Sequence, residues 1–152
     1  MHSHSTTCRT ATDSLYGARH LAAAMEASGD LARMEALVLL DLIGGPSPQF
    51  ISAFAPTHHL FRRLVTIERR LAREGVLGVG GKPYFQDGPA RPLGIEDDHI
   101  PFLRRNVPVL HLIAVPFPPV WHTVDDDGDH IDHASVNNLL AIFREFLHVS
   151  LK

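Results

Sequence analysis

A chain of 152 residues is long enough for one domain and short for two. With 45% hydrophobic residues, 20% charged residues and a formal net charge of −3, it carries no basic footprint for nucleic acid or acidic membranes. Its longest apolar stretches, Ala36 to Ile43 and Val107 to Phe117, fall well short of the roughly 20 residues of a membrane-spanning helix.

In chain order, Ser14 to Ala27 reads as a helix with Leu15, Leu21, Ala22 and Met25 on one face, Asp13 placed to cap it and Gly29 to end it. Ala36 to Ile43 reads as a buried strand closed by Gly44-Gly45-Pro46. Asp41 is the anomaly in that run. An unpaired buried carboxylate is costly, so Asp41 is expected to be paired, neutral or metal-bound. From His58 to Glu74, Leu60, Leu64, Ile67 and Leu71 recur at helical spacing. The arginines of that helix are interrupted by Glu68 and Glu74, which argues against a nucleic-acid surface. Gly75 to Gly94 is a long Gly/Pro-rich loop whose apolar anchor is Tyr84-Phe85.

Asp97 to Arg105 is expected to form a short helix, with Arg104 and Arg105 paired to the acids one turn earlier. Val107 to Ile113 is a second strand and Pro116 to Pro119 an extended turn. The last helix runs from about Ser135 to Leu151, with Val136, Leu140, Phe143 and Leu147 inward. Helices alternating with strands predict an α/β layer with a mostly parallel sheet. Two strands are too few for a stable open sheet of about four to six. Either strands are missed here, or the sheet is completed by chain outside this sequence.

Three features carry chemistry: Asp41 inside its strand, the run Glu96-Asp97-Asp98-His99, and Trp121-His122 after the second strand. Ligands of open α/β sheets bind beyond the carboxyl ends of the strands, where Asp41 and His122 could meet. His122 is a candidate metal ligand, Trp121 a pocket wall, and Asp41 with Asp97 a carboxylate pair able to share a proton. The bland alternatives are a solvated helix start at Glu96 to His99, a packing role for His122, and a hydrated loop at Asp125-Asp126-Asp127. The 11 histidines form no His-Glu-x-x-His pattern, Cys8 is alone, and residues 1–9 lack the apolar centre of a signal peptide.

The strings Asp13-Ser-Leu-Tyr-Gly-Ala-Arg-His-Leu-Ala, Leu39-Leu-Asp-Leu-Ile-Gly-Gly-Pro, Asp97-Asp-His-Ile-Pro-Phe-Leu-Arg-Arg, Val107-Pro-Val-Leu-His-Leu-Ile and Phe117-Pro-Pro-Val-Trp-His-Thr together resemble animal glutaminyl cyclases. The resemblance runs from about residue 10 to the C-terminus, leaving 1–9 as an unrelated segment. It implies a phosphorylase/hydrolase-like α/β fold, of which this chain is the C-terminal part of a zinc aminopeptidase-like sheet flanked by helices. It also implies an acyltransferase that converts N-terminal Gln, or Glu, of peptides and proteins to pyroglutamate, with one Zn2+ and a secreted or Golgi location.

Carried over, His122 is the zinc ligand, and Asp41 and Asp97 belong to the acid network. Trp121 holds substrate, Ile95, Glu96 and Phe117 line the pocket, and His111 is a pocket residue. The family's other zinc ligands and its catalytic glutamate belong upstream of Asp13, where this sequence has Ser3 and His4 near the positions of the two glutamates and Arg9 where a tryptophan is expected. His2, His4 and Cys8 are conceivable substitutes. The chain is therefore expected to hold only part of the site and to be inactive alone. The alternatives are a zinc aminopeptidase of the same superfamily and a non-catalytic product that binds a peptide or partner chain.

Overall fold

Residues 14–78 and 82–150 are described by the computed structural model. The Asp13 cap, the segment 1–9 with His2, His4 and Cys8, and the end of the last helix at Leu151 lie outside them.

Two strands, β1 (Leu37–Asp41) and β2 (Val109–Ile113), pair in parallel, with Leu37 opposite Val109 and Asp41 opposite Ile113. The helices are α1 (Tyr16–Ala27), α2 (His58–Arg73), the single turn α3 (Ile100–Leu103) and α4 (His133–Ser150). The expected α/β alternation is present. All five residues of β2 are buried, but Val38 and Leu40 of β1 are 41% and 40% exposed. The expectation of a fully buried β1 is thus corrected. Side chains alternate across a strand, and only the Leu37–Leu39–Asp41 face is partly covered.

α2 carries the main core: Leu64, Ile67 and Leu71 are buried against Leu110, Leu112 and α4 as their spacing predicts, while Phe61 is fully buried and Leu60 only partly so. The inward face of α4, however, is turned by one residue from the expected one. Ser135, Leu139, Ile142 and Phe146 are buried, while Leu140 and Leu147 are 55% and 53% exposed. Both stripes satisfy helical spacing, and packing against α2 decides between them. Ile142→Val, which deletes one methyl group from the buried stripe, is expected to cost about 1 kcal/mol in chemical denaturation, whereas Leu147→Met stays within about 0.5 kcal/mol.

α1 packs Ala22 against Phe102 and Val107, with Met25 beside them. Leu21, placed on that face from sequence, is 52% exposed, because Ala18, Ala22 and Met25 define the contact. Leu15 enters the helix at φ 55° without a side-chain cap, and Gly29 at φ 77° closes it in the left-handed region that glycine tolerates. α3 is shorter than read: Asp97 and Asp98 form a turn, and Asn106 at φ 61° stops the chain from continuing. Arg105 does not pair with the acids one turn earlier. It reaches Glu26 of α1 at 2.9 Å and donates to the Pro101 carbonyl.

The long loop after α2 is pinned where expected, at Tyr84-Phe85. Phe85 is 1% exposed and stacks on Phe50 at 5.3 Å. Phe50 donates to the Tyr84 carbonyl and accepts from Gln86 N–H, a single parallel bridge beside the main sheet. The adjacent Gln49 carbonyl accepts from Val115 N–H at 2.8 Å, so this pairing also holds the chain leaving β2.

Candidate functional site

Register sets the first group of site residues. Leu39 lies opposite His111 and Asp41 opposite Ile113, so Asp41 and His111 project from the same face of the sheet toward its carboxyl end. The turn before α3 brings in Asp97, whose Oδ2 accepts a hydrogen bond from His111 Nε2 at 3.1 Å. Its Oδ1 accepts from the Asp98 N–H at 2.7 Å. Asp41 Oδ1 in turn accepts from the Leu42 N–H at 2.8 Å. Glu96 is exposed and Ile95 half-buried on the segment leading into Asp97.

Electrostatics ties these groups together. Burial raises the Asp41 carboxyl above its ordinary range, and the negative charges of Asp97 and Asp98 raise it further, against the Leu42 N–H and His111. Burial lowers His111, opposed by its hydrogen bond to Asp97 and by Asp41. His99, 1% exposed, is lowered to about 4 by burial and by His111. Both rings are therefore neutral near pH 7. Asp41→Asn keeps the acceptor for Leu42 while removing a charge held among like charges. Its thermal midpoint at pH 7 is expected to lie above that of the parent, and a lower midpoint would contradict the repulsion.

His99 belongs to the run singled out from sequence, but no site role is assigned to it there. Its ring lies 4.4 Å from that of His111, centroid to centroid, and edge-on to Phe54 at 5.4 Å. Its Nδ1 is buried with no hydrogen-bond partner. The signal was present in the Asp-Asp-His run, but nothing in spacing alone says that the turn buries His99 behind Asp97 rather than in solvent.

A second group follows β2. Val115–Pro116 is cis, and the proline-rich turn presents Phe117 edge-on to Trp121 at 4.8 Å. His122, at φ 60°, stacks its ring on Trp121 at 3.9 Å. The backbone N–H of Trp121 donates to the Pro118 carbonyl. Trp121, 38% exposed, lines a small cavity of about 90 Å³ with Leu42, Gly45, Pro118 and Ile131. Gly45 lets Pro118 approach closely there, since a Cβ at that position would stand 3.1 Å from Pro118 Cγ. Asp41, Asp97 and His111 thus form one cluster, and Phe117, Trp121 and His122 another.

Among the described residues, Asp97, His99 and His111 are the group whose donor atoms could hold a metal ion. His122 has no such companions there. A catalytic zinc needs about three protein ligands, so the described residues do not by themselves fit one at His122.

The sequence profile of peptidase family M28 matches residues 12–147. A glutaminyl-peptide cyclotransferase of Drosophila melanogaster is 51% identical over 143 residues, covering 88% of this chain and 40% of that protein. The crystal structure of Macrostomum lignano glutaminyl cyclase superposes with a TM-score of 0.83 at 38% identity, covering 95% of this chain and 50% of that one. A leucine aminopeptidase precursor from Bacteroides thetaiotaomicron, at 19% identity and a TM-score of 0.67, shares the fold. The chain spans 37–42% of the length of the curated relatives it matches and about half of the solved structures.

Proposed function

The chain belongs to peptidase family M28, and from that premise we propose that it is part of a glutaminyl-peptide cyclotransferase acting on N-terminal Gln, and more slowly Glu, of peptides and proteins. The observation that carries the reading is the Asp41–Asp97–His111 cluster at the carboxyl end of a parallel sheet. Its chemistry suits the reaction. Cyclisation forms a bond from the α-amino nitrogen to the γ-carbonyl carbon and breaks the bond to the amide nitrogen, which leaves as ammonia. One proton must pass from the attacking amine to the leaving nitrogen. Asp41, with its raised carboxyl pKa, and Asp97, backed by His111, form a pair able to hold a proton near that path.

Trp121 and Phe117 supply an aromatic wall of the kind that holds a small side chain. Zinc enters this reading through His122 alone. The donor count among the described residues supports the further reading that the 152-residue chain by itself turns over little or no substrate.

The competing reading is aminopeptidase chemistry, which the shared fold supports at the level of architecture only. Incubation of the purified chain, and of a longer protein containing it, with Gln-peptides and with amino-acid amides separates the two. Pyroglutamyl product and ammonia from the longer protein, with neither from the 152-residue chain, is the expected result. Free amino acids released without cyclisation would overturn the cyclase reading. Turnover by the short chain with stoichiometric zinc would overturn the claim that it is inactive alone.

A further inference from the structure

We propose that Asp97, His99 and His111 form a binding site for a divalent ion of borderline softness, separate from any metal at His122. The ligand atoms of the three residues lie within 4.8 Å of one another. Two of the three side chains are buried, with His99 and His111 at 1% and 2% exposure. The independent sign is the His99 imidazole: its Nδ1 is buried with no partner, which is rare for a polar atom in a folded protein. Neither ring neighbour, Phe54 or His111, is hydrogen-bonded to Nδ1.

The donor set fixes the class of ion. Two neutral imidazoles and one carboxylate favour Zn2+, Co2+ or Ni2+ over Mg2+ and Ca2+, which prefer oxygen. Donors around a tetrahedral zinc stand about 3.4 Å apart, given bonds of about 2.0–2.1 Å. The cluster must therefore contract by roughly 1.4 Å at its widest, a distance within reach of side-chain rotation. Asp97 contributes through Oδ2, the oxygen now bonded to His111, and it is half-buried on a turn rather than inside a helix. Asp41, coupled by charge to Asp97 and His111, adds negative potential beside the site. An ion there takes the place of the hydrogen on His111 Nε2, which moves to Nδ1 as the ring changes tautomer, and it screens the charge of Asp97 from Asp41. Binding itself does not depend on the cyclase reading.

The test is a Co2+ titration of the full chain, read by visible d–d absorption and by paramagnetic shifts of the imidazole resonances. His2, His4, Cys8 and His122 are replaced by alanine in every sample to silence other donors. One equivalent of Co2+ is expected, shifting the His99 and His111 signals. Asp97→Asn, which keeps the volume of a half-buried side chain, should weaken binding at least tenfold. His99→Gln should do the same, with circular dichroism as its folding check. Undiminished affinity in Asp97→Asn, or shifts confined to other histidines, would overturn the proposal.

Discussion

Replacing Glu68 with alanine is expected to destabilise the chain by roughly 3–5 kcal/mol in denaturant titration. Sequence presents Glu68 as one acid on an arginine-rich amphipathic helix, but its side chain is turned inward, and the residue is 6% exposed. Its Oε1 accepts from the Tyr84 N–H at 2.6 Å and its Oε2 from the Phe85 N–H at 3.0 Å. Alanine leaves both donors without a partner, each at about 1–3 kcal/mol, and leaves a cavity besides. The loss spreads further. The Tyr84-Phe85 segment pairs with Phe50, and Gln49 next to it holds Val115 at the start of the turn that presents Phe117 and Trp121. Loosening the loop therefore loosens the aromatic wall.

Glu68→Gln separates the charge from the hydrogen bonds. Its carbonyl oxygen replaces one acceptor, while its NH2 faces the other N–H, so a loss of about 2 kcal/mol is expected at pH 7. Burial raises the Glu68 carboxyl above its ordinary value of 4.5, against the two backbone N–H groups and Arg69. A raised folded-state pKa means that the folded chain binds a proton more readily than the unfolded one. The linked stability is fully present below pH 4.5 and is lost as pH rises through the folded value. The deficit of Glu68→Gln relative to the parent should therefore widen as pH falls from 7 toward 4.5. A deficit that narrows instead would place the carboxylate, not the acid, as the form favoured by folding.

Much of this architecture can be read from residue order because local rules and packing agree. α2 has one apolar stripe and many charged residues elsewhere, so a single orientation satisfies it. β2 is apolar apart from His111, which fits burial of every residue. Misreadings arise where two answers are locally equal. α4 offers apolar residues at 136, 140, 143 and 147 and again at 139, 142 and 146, and only the facing surface of α2 distinguishes them. β1 is as apolar as a buried strand, yet its exposure depends on what covers it, which is not a property of its own residues.

The site divides in the same way. Asp41, Asp97 and His111 stand out as ionisable groups in apolar surroundings, and the sheet register brings them to one face. His99 and Glu68 do not stand out, because their burial is decided by partners far along the chain: Phe54 and His111 for one, Tyr84 and Phe85 for the other. Trp121 and His122 are adjacent in sequence, but their stacking depends on the positive φ of His122.

In a longer protein that cyclises Gln-peptides, Asp97→Asn is expected to lower kcat at least about a hundredfold, equivalent to roughly 2.7 kcal/mol of lost transition-state stabilisation. Asp97 is hydrogen-bonded to His111 and coupled by charge to Asp41, so it links the buried ring to the second acid. Asparagine can still accept from His111 and fills the same space, which keeps the fold. What it removes is the charge. Asp97 is the largest of the charges that raise the Asp41 carboxyl, so without it the Asp41 pKa drops and Asp41 holds a proton less readily. The acid limb of the kcat/KM profile should accordingly move to lower pH in Asp97→Asn. Asp97→Glu, which restores the charge at a longer reach, should move it back toward the parent even if kcat recovers little. A merely structural role for Asp97 would lower the thermal midpoint and leave the acid limb where it is, and that pattern would remove Asp97 from the proton path.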